Sequence, residues 1–96
     1  MKFPHMASVE RMVTTGSKYI YGALGSTKCF VQPIDAETAE LYAVTFTKSS
    51  VAFLPIDADV KTSDRMIVSG TTYGVKGVMS RPYGSLKHKK AILEQL

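Results

Sequence analysis

The chain has no tryptophan and one cysteine, two histidines and four prolines among its 96 residues, and each scarcity excludes something. A lone Cys29 cannot close an internal disulfide, and it has no neighbour at zinc-ligand spacing. Flanked by Lys28 and Phe30-Val31, it is expected to be a buried structural thiol. His5 and His88 stand far apart in the sequence, so no metal or cofactor is implied. No apolar run approaches the roughly 20 residues of a membrane-crossing helix. The first six residues carry a single Lys and no apolar stretch of about 7 to 15 residues, so they do not read as a secretory signal. The protein is expected to remain in the cell that makes it.

Catalytic signatures are missing as well. There is no G-x-S-x-G nucleophile elbow, and Cys29 lacks the local context of a catalytic thiol. Gly22-Ala23-Leu24-Gly25-Ser26-Thr27-Lys28 has glycines and a lysine but not the Walker spacing that cradles phosphates. Asp57 and Asp59 would point the same way from an extended segment, where solvation is the expectation and a bound cation the alternative. No catalytic residue is assigned, and the chain is not expected to be an enzyme.

What is present fits one small folded domain, residues 1–96. Hydrophobic residues make up 45% and charged residues 21%, an ordinary balance for a globular chain. The net charge of +4 is unevenly placed. Residues 61 to 96 hold seven Lys or Arg against two acids, while residues 1 to 60 hold five against six. The densest cluster is Lys87-His88-Lys89-Lys90, with Arg81 and Tyr83 nearby; it suits nucleic acid, an acidic neighbouring subunit, or plain solvation.

Along the chain, Ala7 to Thr14 is β-prone, but Arg11-Met12-Val13 breaks a strict period of two. Tyr19-Ile20-Tyr21 is bracketed by Gly16-Ser17 and by Gly22, Gly25 and Ser26, which predicts an ordered loop over 16 to 26. The N-terminal 26 residues then form a strand and loop, extended from a barrel core over 27–96. Thr27 to Gln32 is a strand that Pro33 ends or confines to an edge. Asp35 is an N-cap candidate for a short helix through Leu41. Tyr42, Val44 and Phe46 alternate as a half-buried strand would, and Val51 to Leu54 resumes the pattern, so the two can form a hairpin across the polar break Lys48-Ser49-Ser50.

The strongest local signal lies between Asp64 and Val75. Arg65-Met66-Ile67-Val68, a turn at Ser69-Gly70-Thr71, and an arm from Thr72 onward predict a β-hairpin in which Gly70 takes positive φ. Ile67, Tyr73, Val75 and Val78 are expected to share a face, and Gly74 and Gly77 suggest a bulge or a close backbone approach. Asp64 can accept backbone N–H groups at the turn and Arg65 can pair with a carboxylate. Ser80 to Gly84 reads as a turn. Leu86 to Leu96 fits either a helix or a terminal strand.

This order of residues, Asp64-Arg65, an apolar strand, Gly70, Tyr73-x-Val75, Gly77-Val78 and a closing segment with His88, resembles the small head-to-tail joining proteins of long-tailed bacteriophages, the head-closure or stopper family and its related adaptors. Cys29 to Pro33 and Phe53 to Val60 look like that family's earlier strands and the linker into the hairpin. The similarity spans roughly residues 27 to 93, and Lys61-Thr62-Ser63 stands where a glycine is expected just before the Asp-Arg pair. The resemblance implies a mainly β protein, a small single-domain barrel or sandwich with one short helix and long loops. It implies a ring of six or twelve copies in the virion neck, with a portal or adaptor above and a tail terminator or tail tube below. It would close the DNA channel, present a tail-docking platform and contact packaged DNA. Before assembly it would reside in the host cytoplasm. Loops able to reach the channel axis are Gly16 to Ser26, with Gly22 and Gly25 inside it, Pro33 to Glu40, and Lys48-Ser49-Ser50. The alternatives are a small basic nucleic-acid-binding barrel and another neck or tail-completion protein.

Overall fold

The computed structural model describes residues 3–81 and 87–96. Six strands and one helix follow in the order β1 His5–Thr15, β2 Lys18–Pro33, α1 Ala36–Leu41, a 3-10 turn Phe46–Lys48, β3 Ser49–Pro55, β4 Arg65–Val68, β5 Thr71–Arg81 and β6 His88–Gln95. Every neighbouring pair is antiparallel, and the sheet closes as β1-β2-β3-β6-β5-β4, with β4 returning to β1 opposite Ala7 to Glu10. Closure leaves no free sheet edge around the barrel itself. The expectation of a mainly β barrel with one short helix holds.

Alternate residues point inward and fill the barrel. Ala7 and Val9 of β1, Cys29 of β2, Ala52 and Leu54 of β3, Met66 and Val68 of β4, Val75 of β5, and Ala91 and Leu93 of β6 form one buried cluster. A smaller cluster lies outside the wall, where Ile34 and Ala39 pack on Val51 and Ile92. Helix α1 therefore covers the outer face of β3 and β6, which accounts for the unbroken apolar run Ala91-Ile92-Leu93. With both faces buried, the period of two disappears from the sequence. Asp35 caps α1 as expected, its Oδ1 accepting the Thr38 N–H at 2.7 Å.

The hairpin at 64 to 75 forms, with Ser69 and Gly70 at φ 51° and 80° making a two-residue turn. A bulge displaces the β5–β6 register between Val75 and Gly77, in the arm where the glycines predicted one. Beside it the Tyr42 ring lies so close to Gly77 that an added Cβ would sit 2.8 Å from Cε1. The inward residues of β4 are Met66 and Val68, and Ile67 faces the other way, so the predicted shared face is corrected by one residue.

Other expectations change. Residues 18 to 26 are strand, not loop: Tyr19, Ile20 and Tyr21 pair with Thr14, Val13 and Met12, and Leu24 is accommodated where the pairing steps from Val9–Gly25 to Glu10–Ala23. Gly22 and Gly25 are thus strand positions, while Gly16, at φ 62°, belongs to the turn. The N-terminal segment is not appended to a core over 27–96, since Ala7 and Val9 are part of that core. Tyr42 to Thr47 is not a strand. Ala43 turns at φ 55°, Val44 N–H bonds back to Ala39 O, and Glu94 accepts the Thr45 N–H at 2.7 Å, so β3 pairs with β2 and β6 and forms no hairpin with this segment. Lys48 ends the 3-10 turn and Ser49 opens β3. Residues 88 to 95 resolve the helix-or-strand ambiguity as β6. Of the predicted turn at Ser80 to Gly84, Pro82, Tyr83 and Gly84 lie outside the described residues.

Candidate assembly surfaces

β1 and β2 are far longer than the barrel needs. β1 contacts β4 only through Ala7 to Glu10, and β2 contacts β3 only through Phe30 to Pro33. Beyond those registers the two strands pair only with each other, as a two-stranded ribbon that closes at Gly16-Ser17. Met12, Val13, Tyr19 and Ile20 are all about half exposed or more on it. An isolated hairpin of this kind is marginal in water, and its exposed apolar side chains divide between the two faces, Val13 and Ile20 on one and Met12 and Tyr19 on the other.

The ribbon root is fixed to the barrel by polar contacts. Arg11 donates from Nε to Asp64 Oδ1 at 3.0 Å and from Nη2 to Asp64 Oδ2 at 2.8 Å. The same Nη2 reaches Asp59 Oδ1 at 3.1 Å. The two carboxylates push the Arg11 pKa further above its ordinary value, Asp64 contributing most. Asp64 also accepts the Lys61 N–H at 2.9 Å, as the turn reading expected. Asp59, the exposed partner, has its pKa lowered chiefly by the hydrogen bond from Arg11. Tyr21 donates to Ser63 O at 3.0 Å, and Arg65 lies 3.8 Å over the Tyr21 ring. The arginine that pairs with the buried carboxylate is thus Arg11, and Arg65 stacks instead. Ser63 takes φ 78° at the position where the resemblance expects glycine.

Sequence reasoning missed Arg11 and Tyr21. The available signal was the charge that interrupts the period of two: Arg11 shares the parity of Ala7 and Val9, so it stands at the end of an inward-facing row.

The remaining predicted residues scatter. Tyr73 packs half-buried against the core opposite Met66, and Val75 is buried, its N–H bonded to Asp64 O at 2.9 Å. In the basic cluster, Lys89 Nζ donates to Ala58 O at 2.6 Å, His88 is paired in register with Pro55 and Arg81, and Lys87 is exposed. A row of rings crosses four strands: His5–Phe30, Phe30–Phe53 and Phe53–His88, with centroids 6.1, 6.4 and 5.7 Å apart. Lys90 lies directly opposite Phe53 in the ladder and shares its face. Burial raises the Cys29 thiol pKa, as suits an inert core residue. Among the described residues no group of three or more His, Cys, Asp or Glu could hold a metal, and no helix is long and apolar enough to cross a membrane.

These features define a closed six-stranded antiparallel barrel with a projecting ribbon. No protein-family profile and no curated protein matches the chain. Its fold is similar to that of protein SF1141 from Shigella flexneri 2a, with a TM-score of 0.76 over 97% of this chain and 92% of that one at 10% identity. It is also similar to protein xkdH of the phage-like element PBSX of Bacillus subtilis, with a TM-score of 0.54, 12% identity and coverage of 95% and 92%. At such identities the likeness is one of fold.

Proposed function

We propose that this chain is a structural protein of a tailed-phage neck, a ring-forming head-closure protein that seals the DNA channel and presents a docking platform for the tail. The observation that carries the reading is the ribbon of residues 11 to 22. A closed barrel that projects an apolar, two-stranded arm is built for contacts beyond its own core. The motif from Asp64 to Val78 and the fold shared with a phage-element protein support the phage assignment. In this reading Gly16, at the ribbon turn, is the loop position best placed to reach a channel axis, and the chain works by assembly rather than catalysis. Electron microscopy of virions, with the chain located by a bound antibody, tests it. Density at the head-to-tail joint is expected, and a chain absent from that joint overturns the proposal.

A second reading has its own observation. The aromatic row from His5 to His88, with Lys90 on the same face and Lys28 two residues from Phe30, combines rings and cations as a surface for packaged DNA would. DNA affinity that falls steeply with salt supports this contact, and no binding at low salt removes it.

A further inference from the structure

The ribbon and helix α1 each expose apolar surface, and they carry opposite charge. Val13 and Ile20 are directly opposed across the ribbon, so their side chains share a face, and they are 45% and 51% exposed. Lys18 lies two residues from Ile20 and on that face. On α1, Glu37, Glu40 and Leu41 fall at i, i+3 and i+4, one helical face, and line a shallow depression. Leu41 is 78% exposed, and Phe46 in the following turn is 52% exposed. Among the described residues no ion pair engages Lys18, Glu37 or Glu40.

Lys18 opens β2 and Pro33 ends it, three residues before α1, so the ribbon turn and the helix stand at opposite ends of the longest strand. Two different, complementary patches separated in this way describe a heterologous contact, which propagates head to tail and closes into a ring when the rotation allows.

We infer that the occupant of the α1 face is the ribbon of a second copy of this chain, with Val13 and Ile20 on Leu41 and Lys18 between Glu37 and Glu40. The inference rests on the ring-assembly part of the proposal above and not on the place of the ring in a virion. Apolar contact supplies the affinity, and the charges set which end meets which.

Native mass spectrometry and sedimentation velocity on the purified full chain test it. The wild type is expected to form oligomers larger than a dimer as concentration rises. Lys18→Glu and Glu40→Lys should each weaken assembly about tenfold or more, with unchanged thermal unfolding because both side chains are exposed. In an equimolar mixture the Glu40→Lys ribbon meets an unaltered α1 face, while the Lys18→Glu ribbon meets the new lysine beside Glu37, so assembly should recover clearly above that of either variant alone. Wild-type chain that stays monomeric at millimolar concentration overturns the inference, as does normal assembly of either variant or failure of the mixture to recover. A neck-located protein whose assembly ignores Lys18 and Glu40 removes this interface alone. An assembling chain absent from virions removes the neck role alone.

Discussion

Replacing Asp64 with alanine should destabilise the fold by about 3 kcal/mol, because the carboxylate is buried and bonded on three sides. Its side chain is 4% exposed and accepts from Arg11 Nε, Arg11 Nη2 and Lys61 N at 3.0, 2.8 and 2.9 Å. A hydrogen bond to a charged group contributes about 1.5 to 3 kcal/mol, so the three sum nominally to well above the expected loss. The discount comes from Arg11, whose side chain is 26% exposed and regains water when its partner goes. The loss remains large because the Lys61 N–H is left facing a gap, and the ribbon root loses its anchor to the β3–β4 connection. For a domain of this size the melting temperature should fall by roughly 12 to 24 °C. Far-UV circular dichroism suits the assay, since the chain has five tyrosines and no tryptophan. Asp59→Ala is the control: Asp59 binds the same Arg11 guanidinium but is 63% exposed, and its removal should leave the midpoint nearly unchanged. Equal losses for the two variants would refute the reasoning, because burial would then not be what gives the Asp64 bonds their strength.

Ser63→Gly should stabilise the fold by about 0.5 to 1 kcal/mol, the relief of a φ of 78° less the added freedom of glycine when unfolded; a lower urea midpoint would contradict this. Gly77→Ala places a Cβ 2.8 Å from Tyr42 Cε1, forcing the ring off Gly77 and off its 3.2 Å hydrogen bond to Met79 Sδ. A loss of about 1 to 3 kcal/mol is expected, smaller in a Tyr42→Ala background, and a double-mutant cycle reads the coupling. Gly70→Val should cost about 1 to 2 kcal/mol through backbone strain alone, since φ is 80° and no atom lies within 4 Å of the added Cβ; an unchanged melting temperature would show that the turn relaxes freely. Acidification should also destabilise. Asp35 has a folded pKa held below the ordinary carboxylate range by the Thr38 N–H it accepts. Its contribution is present above about pH 4 and is lost as pH falls through the folded value. Urea midpoints between neutral pH and about pH 3 should show this fall, reduced in an Asp35→Asn variant, whereas Asp59→Ala leaves it nearly unchanged because the exposed Asp59 contributes little.

The local chemistry of the chain determined a good part of this protein by itself. Ser69-Gly70 between two β-prone arms marks a tight turn, Asp35 ahead of Ala36 to Leu41 marks a capped helix, and the glycines of the β5 arm mark a bulge, because each depends on residues adjacent in sequence. The mainly β class and a buried Cys29 follow from composition and alternation in the same way. Elsewhere the deciding partner was remote. Tyr42 to Thr47 alternates like a strand, yet it turns because Glu94 holds Thr45 and Gly77 makes room for Tyr42. Residues 18 to 26 look like a loop for their glycines, yet they are strand because β1 pairs with them and Val13 covers Gly22. The bond between Arg11 and Asp64 joins positions 53 residues apart. Closure of the barrel brings Arg11 to Asp64, and the pairing of β3 with β6 sets Glu94 beside Thr45, partners that no local pattern encodes, whereas residues 18 to 26 needed only the neighbouring arm of their own hairpin to override their glycines.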